Sequence, residues 1–248
     1  LLLWYRTNQL EINKSKCNIM SFTKKFNVIL FDYKIMDQSI SRCSTIRDLG
    51  VLFDQKLSFN DHIEQTIGSS FQTLGFIIRN CSDFRNVVAL KALFFAFVRS
   101  KIEYASVVWA PYYAYQRDAI ERVQKKFLKY LLFKEQGRYP PRGMNIMVLL
   151  QKYDVQLLED RRRLAAVKFI VNIVQGKADV PAILSKLSFA VPRLNSRQHI
   201  TFRISTFRTN LGVNSPINVM TKLINGVSNV CDVNYDGIKK ILKHVLMK

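Results

Sequence analysis

The chain has 248 residues, with 38 Lys/Arg against 18 Asp/Glu and a formal charge of +20 at neutral pH. Nearly half of it is apolar, with 17 Phe and 10 Tyr, which excludes a disordered chain; only 9 Gly and 6 Pro speak against a turn-rich all-β fold. No uncharged run approaches the ~18–20 residues a membrane span needs, and the apolar start is too short for a secretory signal. The expectation is an intracellular protein, nuclear or cytoplasmic, neither secreted nor membrane-bound.

The charge is placed unevenly. Residues 1–83 carry 10 basic and 8 acidic side chains, whereas residues 84–248 carry 28 and 10. A folded body this basic repels itself unless a polyanion meets it, so nucleic acid is the favoured partner. The four cysteines, Cys17, Cys43, Cys81 and Cys231, are widely spaced without a CxxC pair. His62, His199 and His244 are too scattered to complete a zinc knuckle, so buried free thiols in a reducing compartment are expected, with no metal site.

In chain order, residues 1–9 read as the end of a helix and Asn13 as a turn before a strand. Residues 18–23 alternate polar and apolar, as a half-buried strand does. Residues 28–31 read as a second strand. Residues 46–53 form another strand region around Leu49-Gly50-Val51, where the glycine permits close approach. From Asn60, a candidate N-cap, the pattern turns helical with Ile63, Ile67, Phe71, Leu74 and Ile78 on one face. His62 in the first turn is read as a surface residue.

A second helix from Asn86 carries the stripe Leu90, Leu93, Phe94, Phe97, Val98 and Ile102. Trp109-Ala110-Pro111 closes the next segment. A third helix from Arg117 turns Ile120, Val123, Phe127 and Leu131 inward. Tyr139-Pro140-Pro141-Arg142-Gly143 breaks the chain. Met147 to Leu150 is a short apolar piece, and residues 157–174 read as a fourth strong helix. Pro181 and Pro192 bracket a short element. Phe202, Ile204 and Phe207 suggest a strand or extended arm, and residues 236–247 a last helix.

No catalytic centre can be read from these residues. Metal-dependent phosphoryl transfer needs aspartates converging on divalent ions, and the chain has no Asp-Asp pair. Glu159-Asp160 are read as helix-surface ion pairs with Arg161-Arg162-Arg163. The basic clusters are better founded: Arg99 and Lys101; Lys125, Lys126 and Lys129, followed by Lys134, Arg138 and Arg142; and Arg161, Arg162 and Arg163 with Lys168. Such clusters give salt-sensitive, sequence-blind binding by counterion release. Tyr112, Tyr113, Tyr115 and Tyr139 are candidates to stack on bases or sugars.

Taken together, the ordered motifs resemble a family. Asn8-x-Leu10-x-Ile12-Asn13-x2-Lys16-Cys17-x2-Met20-x-Phe22 is similar to the strand-turn-strand block that follows the catalytic aspartates in reverse transcriptases of non-long-terminal-repeat retrotransposons, the jockey type above all. Asp48-Leu49-Gly50-Val51 with Asp54 and Leu57 resembles the next block, the primer grip. Leu74-Gly75-Phe76-Ile77-x-Arg79, Glu103-Tyr104-x-Ser106-x-Val108-Trp109-x-Pro111 and Ile120-Glu121-x-Val123-Gln124-x2-Phe127 continue it through the helical thumb. Residues 157–164 and 191–197 resemble the C-terminal extension.

The resemblance implies an α+β fold: a small antiparallel palm remnant at 1–57, a mainly helical thumb at 58–142 and a helical basic extension at 143–248. It implies that Lys16 acts near departing pyrophosphate, and that Leu49 and Gly50 lie on the hairpin holding the primer end. The basic helices would track an RNA/DNA template–primer duplex by its backbone. The family's metal-binding aspartates have no counterpart here and are expected in a missing N-terminal polymerase part. The chain alone is therefore expected to be inactive in RNA-directed DNA synthesis and to hold no cofactor, Mg²⁺ belonging to the full-length parent. Two alternatives stay open: a stand-alone helical nucleic-acid-binding protein, and an inactive pseudogene product.

Overall fold

The computed structural model describes residues 4, 7–10, 12–23, 25, 30–35, 37–190 and 201–226. The chain divides into two compact units, residues 1–65 and 66–248. The readings placed at 28–29, 191–197 and 236–247 lie outside the described residues. Helices dominate and the strands form small two-stranded sheets, so the fold is α+β.

In the first unit Asn13 makes the expected turn. Its Oδ1 accepts from the Ser15 amide at 3.1 Å and from the Ser15 hydroxyl at 2.6 Å, opening a 3₁₀ turn at Lys14–Lys16. Strand β1 (Asn18–Ile19) then pairs with β4 (Ser41–Arg42), and β2 (Lys34–Ile35) with β3 (Gln38–Ser39). The β1–β4 pair is parallel, which corrects the expectation of antiparallel pairing throughout. The strand read across 18–23 is only two residues long, and past it the Thr23 amide donates to the Gln55 carbonyl at 3.2 Å.

The best-formed element is the hairpin of β5 (Thr45–Asp48) and β6 (Val51–Asp54). Asp48 faces Val51, leaving a two-residue loop of Leu49 at φ 43° and Gly50 at φ 82°. Positive φ at both positions is what a type I′ turn demands, because its twist matches that of the strands it joins. Glycine meets this freely, while Leu49 sits in a conformation that costs a Cβ-bearing residue about 1–2 kcal/mol.

After β6, Asp54 sets the entry to the first long helix. Its carboxylate accepts from the amides of Lys56 (2.9 Å), Ser58 (2.8 Å) and Phe59 (2.8 Å). Burial alone would raise its pKa, but these hydrogen bonds to the charged form outweigh it and hold the carboxyl below its usual value. They also hold Leu57 and Phe59 at positive φ, 51° and 56°.

Helix α1 (Asn60–Asn80) follows, and the boundary between the units falls within it. His62 is only 7% exposed, so the surface reading is corrected: its Nδ1 accepts from the Leu52 amide at 3.3 Å, on β6. Burial first, and Arg47 second, push its pKa down.

The second unit is built on helices. Asn86 caps α2 (Val87–Phe94), its side chain accepting from the amides of Val88 and Ala89. The helix continues through a π turn at Phe95–Arg99 into α3 (Ser100–Glu103). Its buried residues are Leu90, Phe94, Val98 and Ile102, each at most 1% exposed, whereas Phe97 is 55% exposed. Spacing by four outruns an α-helix by about 40° each step. The wider π turn absorbs that drift and keeps one face inward.

Next come α4 (Ser106–Trp109) and α5 (Ala114–Gln136). Trp109 is buried, its indole N–H donating to the Tyr104 carbonyl at 2.8 Å. On α5, Ile120, Val123, Phe127 and Leu131 are all buried, as their spacing predicts. Phe127 stacks on Phe94 at 4.0 Å between centroids and 3° between planes. Gly137, at φ 73°, closes α5 with its amide on the Phe133 carbonyl; a left-handed residue there favours glycine.

Beyond the proline loop, Asn145 caps α6 (Ile146–Lys152), and α7 (Leu158–Val174) packs on α4 and α5. The helices on either side of residue 142 thus belong to one packed unit.

The region read as a weakly patterned tail carries structure of its own. After the short α8 (Pro181–Leu184), Phe189 and Phe202 form an antiparallel bridge. Two helices that the sequence reading missed follow, α9 (Asn210–Val213) and α10 (Pro216–Asn225). Phe202, fully buried, joins Val167, Ile170, Val171, Met220 and Ile224 in a core cluster. Asn225 grips the Phe202 backbone from both sides, accepting from its amide at 2.9 Å and donating to its carbonyl at 2.7 Å. That side chain does the work of a strand partner.

Candidate nucleic-acid interface

Helix α5 has one face locked into the core, so its opposite face is fixed toward solvent. At 100° per residue, Tyr115, Arg122, Lys126, Lys129 and Phe133 lie within about 40° of one line along that face. Lys125 flanks it. Arg122 and Lys126 are exposed and Lys125 and Lys129 half-buried. Among the described residues, none of these four cations forms an ion pair. Lys126 lies 5.6 Å from the Phe71 ring centre, a contact that leaves its charge available. Asp118, one turn before Arg122, is the one acid near the line.

Arg122 was absent from the residues singled out by sequence. Its signal was there, seven residues after Tyr115 and four before Lys126, but it stands outside the dense run that draws the eye.

The Arg161-Arg162-Arg163 cluster is used differently. Arg161 makes a two-pronged bond to Glu103, Nε to Oε1 and Nη2 to Oε2, the latter at 2.9 Å. Arg163 bonds Glu159 at 2.7 Å, and Arg117 approaches the same carboxylate at 3.7 Å. Arg162 is 5% exposed, with Nη1 and Nη2 buried and without hydrogen-bond partners among the described residues. Burial lowers its pKa, and the carboxylates of Glu121, Glu159 and Glu103 offset this.

Glu121, buried on α5, accepts from the Glu159 amide at 2.8 Å and so caps the N-terminus of α7 from a neighbouring helix. Burial raises its pKa. Gln124 adds a second tie, donating to the Gln156 carbonyl at 2.9 Å. These charges fasten α7 to α5 and α3. Arg162, as placed, cannot reach a phosphate.

Of the remaining predicted residues, Arg99 lies 3.5 Å over the Phe95 ring and 3.8 Å from Glu103. Lys101 is exposed and donates to Thr73 Oγ1 at 2.8 Å. Lys134 is bonded to the Ser82 carbonyl, while Arg138, Arg142 and Lys168 are exposed. Lys16, Leu49 and Gly50 belong to the first unit and are exposed, Leu49 by 83%.

The tyrosines flank the stripe. Tyr112, Tyr113 and Tyr115 form a ladder with ring centres 4.0 Å and 5.6 Å apart, and are 37%, 44% and 63% exposed. A hydrogen bond to Tyr113, then burial, pushes the Tyr112 hydroxyl up to about 12. At the far end of α5, Tyr139 stacks on Phe133 at 4.4 Å and 11° and is 59% exposed.

Among the described residues, no group of three or more His, Cys, Asp or Glu converges to hold a metal ion. No described helix is long and apolar enough to cross a membrane. Family models, curated proteins and solved structures gave no match to the chain.

Proposed function

We propose that this chain is the template–primer-holding part of a retrotransposon-type reverse transcriptase, gripping nucleic acid through the exposed face of α5. One observation carries the binding: among the described residues, Arg122, Lys126 and Lys129, with Lys125 beside them, form no ion pair on a helix whose opposite side is packed. Fixed cations along a rigid helix neutralise successive phosphates without reading bases, which a polymerase must do for every template. The same stripe would serve a stand-alone nucleic-acid-binding protein. The ordered motifs from Asn8 to Phe127 are what favour the polymerase part.

In this reading the I′ turn at Leu49-Gly50 supplies the primer-grip hairpin, and Lys16 lies near the pyrophosphate of the parent reaction. RNA-directed DNA synthesis is the activity of that parent, and Mg²⁺ its cofactor.

The test is fluorescence titration of a labelled primer–template with the purified chain at several salt concentrations. Four phosphate contacts give a log K against log[salt] slope of about −3 to −4. A flat line would remove nucleic acid as the partner.

A further inference from the structure

The two ends of the α5 stripe are aromatic, and this bears on what kind of strand it holds. Tyr115, at the end of the tyrosine ladder, and Phe133, under Tyr139, are 18 residues apart. That is five helical turns, so both lie on the same line as Arg122, Lys126 and Lys129, about 27 Å from one another. The middle of the line is cationic and each end offers an exposed, stacked ring: Tyr115 at 63% and Tyr139 at 59% exposure.

A duplex matches the middle of this face but not its ends. Its bases are stacked on one another and their flat faces are covered, except at a terminus. Two aromatic platforms separated by about eight stacked nucleotides, at ~3.4 Å each, cannot both meet a base face in an uninterrupted duplex. An unpaired strand presents phosphates on one side and free base faces on the other. Cations between stacking rings are the arrangement that holds such strands without sequence preference. The charge also argues against a protein partner with an apolar surface, which would leave Arg122, Lys126 and Lys129 desolvated and unmatched.

We propose that the α5 face binds an unpaired nucleic-acid strand of about eight nucleotides, with bases stacked on the Tyr115 ladder at one end and on Tyr139 at the other. This rests on the nucleic-acid reading above and specifies the state of the strand. Within a template–primer it assigns α5 to the single-stranded template beside the duplex.

The test compares labelled oligothymidylates of four, eight and sixteen nucleotides, an abasic eight-mer with the same phosphates, and a blunt duplex, all with the full chain. Affinity should rise up to about eight nucleotides and then level per site, and the abasic strand, which loses both stacks, should bind about a hundred-fold more weakly. Tyr115→Ala and Tyr139→Ala should each weaken the eight-mer about ten-fold while leaving the abasic strand and the duplex unchanged. Tyr115→Phe and Tyr139→Phe should restore binding, since stacking needs the ring and not the hydroxyl. Both positions are exposed, and circular dichroism checks that the variants fold.

Equal affinity for base-bearing and abasic strands would overturn the proposal. So would tyrosine variants that weaken the duplex as much as the eight-mer. If the duplex binds with a steep salt slope but no base effect is seen, only this inference falls. If neither duplex nor strand binds, the nucleic-acid reading falls with it.

Discussion

Removing Arg122, Lys126 and Lys129 together by alanine substitution separates the binding stripe from the arginines that hold the fold. All three sit on one line of α5 and, among the described residues, make no ion pair, so truncating them removes no described bond beyond the Lys126–Phe71 contact. Each phosphate contact contributes about 0.9 to the salt slope on a duplex, so the triple variant should lose about 2.7. At 0.1 M salt the same relation makes the loss nearly three decades in Kd, or about 3.7 kcal/mol. Melting temperature should move by only a degree or two.

Arg161→Ala is the contrast. It leaves Glu103 without its two-pronged partner in a partly buried setting, at a cost of about 2 kcal/mol. For a unit of this size that lowers Tm by about 4–8 °C, with the salt slope of binding unchanged. Fluorescence anisotropy at four or more salt concentrations measures the slopes, and thermal melts the stabilities. The reasoning is refuted if the α5 triple variant keeps the wild-type slope, or if Arg161→Ala flattens it.

Two further predictions concern the first unit. The folded state depresses the His62 pKa below its usual 6.5, so it favours neutral imidazole, the form whose Nδ1 accepts from Leu52. Stability from this contact is complete above that value and declines as pH falls toward the folded pKa. The Tm of the native protein should therefore drop more steeply below pH ~6.5 than that of His62→Gln, and parallel curves would reject the assignment. Leu49→Asn should stabilise the hairpin by about 0.5–1 kcal/mol, because asparagine tolerates the left-handed backbone of a type I′ turn. Urea denaturation with an unchanged m-value measures the gain, and a loss of stability would show that Leu49 makes contacts worth more than its backbone strain.

The sequence by itself determined what depends on near neighbours. The spacing of Ile120, Val123, Phe127 and Leu131 oriented α5, because periodicity of apolar groups is a local property that any partner must respect. Asn86 marked a helix start by a hydrogen bond to amides two and three residues on. Gly50 reads in the sequence only as a point of close approach, and the two-residue turn there is set by the pairing of β5 with β6. The basic bias of residues 84–248 likewise needed no fold to be seen.

The fold alone decided which charges remain available. Arg161, Arg162 and Arg163 look as promising in the sequence as Lys125, Lys126 and Lys129. Yet Glu103 and Glu121, the carboxylates that face Arg161 and Arg162, lie tens of residues away and arrive only when α3, α5 and α7 pack, while Arg163 alone finds its partner, Glu159, on its own helix. The same holds for His62, read as a surface residue until β6 and α1 bring Leu52 to its ring. Phe202 too finds its partner in Asn225 only through packing. Whether a charged or polar group faces water or a distant partner is a long-range property. Only the tertiary structure brings those partners together, and among the described residues it leaves Arg122, Lys126 and Lys129 on α5 without ion pairs.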